Sequence, residues 1–246
     1  MTDNDFLKMR GLLQNLEALP VCHMREATIL HEELALAWRA HEGGRDYIGI
    51  DPYVTRWDET LFPGEAPSRV FVAFRLDEII HRLWRRPSNP LLIPQRHIDW
   101  TRANIERERE ITESERLSLK KNFIGSVARH LQVGKLFRIG EIVLDEAALN
   151  GFGKWIYADP RRCPGFRLHY STYHELVRNV RDLPKDSDLL DFAHIPAIPY
   201  TDAITMDRRM TDYATRVSRR LQAEYSYTNN AEHIFPKLAP LLDAYA

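Results

Sequence analysis

The chain has 246 residues, 44% of them hydrophobic and 28% charged, with a net charge of −1 at neutral pH. That length and apolar content suffice for one large domain with additions and exclude a natively disordered chain. The near-zero net charge excludes a global electrostatic pull on nucleic acid, so a phosphate backbone would need a local basic surface. Cys22 and Cys163 are the only cysteines and form neither a CxxC pair nor a zinc spacing, which argues for a reducing compartment. MTDNDFLKMRG at the amino terminus lacks the apolar core of a signal peptide, and no window reaches the length of a membrane span. A cytoplasmic protein with no membrane partner is expected.

In chain order, Phe6, Leu7, Leu12, Leu13 and Leu16 fall on one helical stripe that Pro20 ends. A second helix is expected from about Met24 to His41, with Ala27, Ile29, Leu30, Leu34, Ala35 and Trp38 inside and Gly43-Gly44 as its stop. Residues 1–46 thus read as an N-terminal helical extension. Tyr47 to Ile50 reads as the first strand, followed at once by Asp51-Pro52, and Val70 to Phe74 as the second. Asp77-Glu78 opens a helix carrying Ile79, Ile80, Leu83 and Trp84, although acids in a first turn complement the helix dipole whatever else they do.

Pro87, Pro90 and Pro94 mark a crossing to a helical insertion around 98–133. Its first part, WTRANIERERE, alternates charge as a solvated helix does. The capping box Thr112-Glu113-Ser114-Glu115 then starts a helix with Leu117, Leu119, Phe123, Ile124, Val127 and Leu131 as its buried face. Gly151-Phe152-Gly153 lacks the third glycine of a dinucleotide fingerprint, and His174-Glu175 lacks the second histidine of a zinc-protease motif. Trp155 to Tyr157 reads as a strand or a loop anchor, Asp159-Pro160 as a turn, and Phe166 to Arg181 as a helix expected to begin at Thr172. Beyond residue 222, Tyr225 to Tyr227 reads as an edge strand and Ala231 to Ala244 as a final helix.

The stretch DSDLLDFAHIPAIPYTDAITMDRRM, Asp186 to Met210, carries the chemistry. Ser187 is a good N-cap, which sets Asp188 and Asp191 three apart on one helix face. Pro196 and Pro199 then stop the helix. Ala203 to Met206 reads as a short buried strand that delivers Asp207 to its carboxyl end, where ligands bind in open α/β sheets. Arg208 opens a helix to about Gln222 with Met210, Tyr213, Ala214, Val217 and Leu221 on one stripe. A cluster of carboxylates with no cysteine and no paired histidine selects Mg²⁺ or Mn²⁺ rather than zinc. Against this stands the ordinary role of aspartates in turn-rich stretches, as caps and solvated residues.

The order Asp191-x-x-His194, Pro199-Tyr200-x-Asp202, Thr205-x-Asp207-Arg208-Arg209 resembles the C-terminal signature of PIN-like nuclease domains, over about Asp186 to Val217. The resemblance implies an α/β fold of three layers, a central mainly parallel sheet flanked by helices, spanning 47–246. It implies a metal-dependent endoribonuclease in which Asp191, Asp202 and Asp207 act at the catalytic centre. Asp51 and Glu78 complete the Mg²⁺ or Mn²⁺ ligands, and Arg208, Arg209 and His194 face the RNA. The chain departs from the pattern after its first acid, where Tyr53 takes the place of the usual asparagine. Three other readings stay open: an inactive PIN-like scaffold for association with a protein partner or a second copy, the toxin of a toxin-antitoxin or defence pair, and a haloacid-dehalogenase-like hydrolase with Asp51 as nucleophile. Tyr53 counts against the last, since an acid belongs there.

Overall fold

The computed structural model describes residues 23–24, 29–54, 103, 105–107, 109–110, 123–128, 146–179, 182, 188, 191–192, 194–226 and 233–237. The chain forms two compact units, one of Met1–Ala27 with Pro52–Trp100, the other of Thr28–Asp51 with Thr101–Ala246. In the first unit the described residues are Pro52 and two strands, β1 (His23–Met24) and β2 (Tyr53–Val54), an antiparallel pair with His23 opposite Val54 and Met24 opposite Tyr53.

The second unit holds α1 (Ile29–Glu42), α2 (Glu146–Ala158), a 3-10 turn (Pro160–Arg162), α3 (Pro164–Arg178), a second 3-10 segment (Ile195–Tyr200), β3 (Ile204–Thr205), α4 (Arg208–Tyr225) and β4 (Ile234–Phe235). α3 is the hub. Eleven of its fifteen residues are buried, the pattern of a helix covered on all sides rather than on one stripe. On one side Leu168, Leu176 and Val177 pack with Met210, Tyr213, Ala214, Val217 and Leu221 of α4, and with Phe192, Ile195 and Ile198. On the other, Phe166 and Tyr170 pack with Leu34 and Trp38 of α1, Phe152 and Ile156 of α2, and Phe123. Burying one such side chain contributes about 1.5–3 kcal/mol.

Two polar devices fix the ends of α3. At its start, Glu33 of α1 is fully buried; its Oε1 and Oε2 accept the backbone N–H groups of Gly165 and Phe166 at 2.7 Å each, and Oε1 also accepts the Tyr200 hydroxyl. A side chain from another helix thus satisfies donors that a helix start leaves orphaned. Gly165 is required there: a Cβ would lie 2.5 Å from the Pro196 carbonyl oxygen and 3.0 Å from Glu33 Oε1. At its end, Arg109 donates to the carbonyls of Val177, Leu176, Asn179 and Asp182 at 3.2, 3.1, 3.1 and 2.7 Å, a cation where the dipole favours one.

The three-layer α/β expectation is overturned. About three quarters of the described residues are helical, and the only parallel pairing among them is β3 with β4, Ile204 opposite Ile234 and Thr205 opposite Phe235. Short apolar runs do not distinguish a strand from a buried helical segment, and here the helical alternative wins. Trp155 to Tyr157 lies inside α2, and Tyr47 to Ile50 is irregular, with Gly49 at φ 87°. α1 begins at Ile29, since His23–Met24 is a strand, and it closes on Gly44 at φ 59°, the left-handed conformation that suits glycine.

α3 starts at Pro164, earlier than Thr172, and its 3-10 successor contains both Pro196 and Pro199. Tyr225 ends α4 instead of opening a strand, and Ile234–Phe235 is a strand where a final helix was expected. The charged helix before the capping box is not solvated throughout, because Ile105 and Arg109 are buried. The expected helix at 5–19, the strand at 70–74, the helix opened by Asp77-Glu78 and the capping box at 112–115 lie outside the described residues.

Candidate functional site

The corner between β3 and α4 places Asp207. The residue is extended, at φ −63° and ψ 158°, and its Oδ1 accepts the N–H of Met210 at 2.8 Å. Its carbonyl takes the first helical bond, from Thr211 N at 2.9 Å. Aspartate is among the best residues for that N-cap position, so local sequence alone dictates this geometry. The Asp207 N–H donates in turn to Asp191 Oδ2 at 3.3 Å, which brings together two acids 16 residues apart. Both are half-buried.

Burial is the main cause that raises the Asp191 pKa. The bond from Asp207 N–H lowers it, the Asp207 carboxylate raises it, His194 lowers it and Asp188 raises it. Asp191 therefore sits in a field of other acids that a cation would relieve.

Arg209 braces the corner. Its Nε donates to Asp182 Oδ2 at 2.9 Å and its Nη1 to Asp188 Oδ2 at 2.8 Å, with Asp188 fully buried. The Tyr213 hydroxyl donates to the same Asp182 oxygen at 2.9 Å and accepts Asn179 Nδ2 at 2.8 Å. These bonds tie the first turns of α4 to the chain that follows α3. Arg209 is thereby committed to carboxylates, whereas Arg208 is exposed on the rim. Beside them opens a cleft of about 500 Å³ lined by Asp182, Asp207, Arg208, Arg209 and Asp212.

Of the expected ligands, the structure joins Asp191 and Asp207. His194 stands close enough to act on the charge of Asp191. Asp202 is exposed in the bend before β3, and Asp51 is exposed ahead of Pro52. Glu78 lies outside the described residues. Among the described residues no group of three or more His, Cys, Asp or Glu side chains is placed to hold a metal ion. No family model, curated protein or solved structure matches the chain. Sequence reasoning missed Asp182, whose carboxylate lines the cleft; its part exists only once α4 packs on α3, and no local pattern marks it.

Proposed function

We propose that the protein is a metal-dependent endoribonuclease whose Asp191 and Asp207 hold Mg²⁺ or Mn²⁺. The observation that carries the reading is the bond from the Asp207 backbone N–H to Asp191 Oδ2 at 3.3 Å, with the Asp207 carboxylate near enough to raise the Asp191 pKa. An all-oxygen donor set without cysteine suits hard cations. Mg²⁺ is usually held by one or two carboxylates together with waters and substrate phosphates rather than by a full protein cage, so two acids, one of which (Asp207) lines an open cleft, fit it. Such an ion, when bound, supplies a water of lowered pKa and neutralises charge on a phosphodiester.

The chain's own residues prepare the rest. Arg208, exposed at the cleft, offers a guanidinium to a substrate phosphate. Arg209 acts through its bonds to Asp182 and Asp188, which fix the turn that presents Asp207. RNA as substrate is supported by the PIN-like signature in residues 186–217, a likeness of motif and not of fold. A second reading, a non-catalytic scaffold, is favoured by one observation: Asp207 already caps α4, a structural duty that needs no metal.

Labelled single-stranded and structured RNAs incubated with Mn²⁺, Mg²⁺ or EDTA separate the two, with wild type compared against Asp207→Asn. Asparagine caps a helix as well as aspartate does, so the variant folds. Cleavage that needs the metal and disappears in Asp207→Asn is expected. Equal traces from both proteins would assign the corner to the scaffold.

A further inference from the structure

Arg167, in the first half of α3, is 1% exposed. Its guanidinium carbon lies 3.9 Å from the centre of the Tyr157 ring, 5.1 Å from that of Phe123 and 5.6 Å from that of Tyr225. Nη2 donates to the Tyr225 hydroxyl at 3.3 Å, while Nε and Nη1 are buried with no hydrogen-bond partner. None of the described carboxylates forms an ion pair with it. Aromatic faces offset only part of the desolvation of a buried cation, and two unmade bonds to a charged donor add to the deficit.

The deficit continues along the helix. Ser171 and His174 follow Arg167 at the fourth and seventh places, on the same face of α3, and the Ser171 Oγ and His174 Nε2 are likewise buried without partners. On α4, Arg220 gives Nη1 to Glu175 and leaves Nη2 buried and unpartnered. Burial first, then the charges of Arg178 and Arg220, hold the His174 imidazole below its usual pKa, against the opposing pull of Glu175. One face of the hub helix thus carries a buried cation, a hydroxyl and an imidazole nitrogen whose bonding capacity is unused.

We propose that Arg167 and Ser171 form a buried site for a small oxyanion, with phosphate or a carboxylate as the chemistry that fits. An oxyanion supplies what this face lacks, since its oxygens accept from the free guanidinium N–H groups and the serine hydroxyl while its charge balances the cation. The site is separate from the acid corner at Asp191 and Asp207 and does not depend on the nuclease reading.

The test is urea unfolding of the full chain in inorganic phosphate, in acetate and in chloride at matched ionic strength. Mass action makes the apparent folding constant of wild type rise about tenfold for each tenfold increase of a saturating anion. The arm that shows the rise, phosphate or acetate, names the source. Arg167→Met is expected to remove the dependence, and Ser171→Ala to raise the apparent dissociation constant about tenfold, the loss that goes with one hydrogen bond to a charged partner. If Arg167→Met gives no cooperative transition, Ser171→Ala decides. Identical curves in all three salts would overturn the site and assign the unmade bonds to water. So would an anion effect that survives Arg167→Met, or, where that variant does not fold, one that Ser171→Ala leaves unchanged.

Discussion

Glu33 holds three elements together, and its replacement tests whether a carboxylate from α1 caps α3. In Glu33→Ala the N–H groups of Gly165 and Phe166 and the Tyr200 hydroxyl lose their acceptor. Each buried group left unsatisfied costs about 1–3 kcal/mol, so the two amides alone predict a loss of about 2–6 kcal/mol. Glu33→Gln keeps one carbonyl oxygen but turns an amide N–H₂ towards a donor, at a cost of about 1–3 kcal/mol.

The pH dependence is the sharper reading. Burial pushes the Glu33 carboxyl up from 4.5 to about 7, against the bonds from Tyr200, Phe166 and Gly165 that pull it down. A raised native pKa means that the folded state binds the proton more tightly than the unfolded chain. Its contribution is therefore complete below 4.5 and lost as the pH rises through about 7; a shift of that size corresponds to about 3 kcal/mol. Urea denaturation followed by circular dichroism across this window measures it. Wild type should lose stability as the pH rises while Glu33→Gln stays flatter, so the gap between them narrows. Parallel profiles, or a wild type that gains stability over the window, would refute the assignment.

Two further outcomes follow from the same contacts. Arg109→Met removes the guanidinium from four carbonyls at and just beyond the end of α3, of which Leu176 and Asn179 keep a backbone N–H, and should lower the unfolding free energy by about 2–4 kcal/mol; a change under about 0.5 kcal/mol would show the contact to be idle. Gly165→Ala places a Cβ 2.5 Å from a backbone oxygen, which cannot retreat like a flexible side chain. A loss of about 1–3 kcal/mol is expected in the same assay, and a neutral result would mean that α3 and the Ile195–Tyr200 segment stand further apart.

What could be read from the sequence is what depends on neighbours in the chain. The stripe Met210, Tyr213, Ala214, Val217 and Leu221 has helical period and is buried as expected. Asp207 was expected between a short strand and a helix opened by Arg208, and it stands there. The fold class failed where the signal was ambiguous: runs such as WIY fit a strand as well as a buried helix face, and tertiary packing chose the helix. Arg109 looked like one charge among many in ERERE, because its carbonyl partners lie 67 to 73 residues away. Glu33 is 132 residues from Gly165, and nothing in the local pattern of α1 announces a buried acid with work at another helix's start. The same limit applies at the acid corner, where Asp191 and Asp207 were visible and the bracing by Asp182 was not.

The claim that Asp191 and Asp207 together hold a divalent ion is tested most directly by calorimetric titration of Mn²⁺ into wild type, Asp191→Asn and Asp207→Asn. Because the Asp191 carboxyl is raised, chiefly by burial, and must lose its proton to bind, affinity should strengthen as the pH rises through its pKa. Wild type should bind Mn²⁺ with that pH dependence, and both asparagine variants should lose the binding while keeping their fold. Mn²⁺ binding of equal strength in all three proteins, or none in wild type above that pKa, would contradict the metal site.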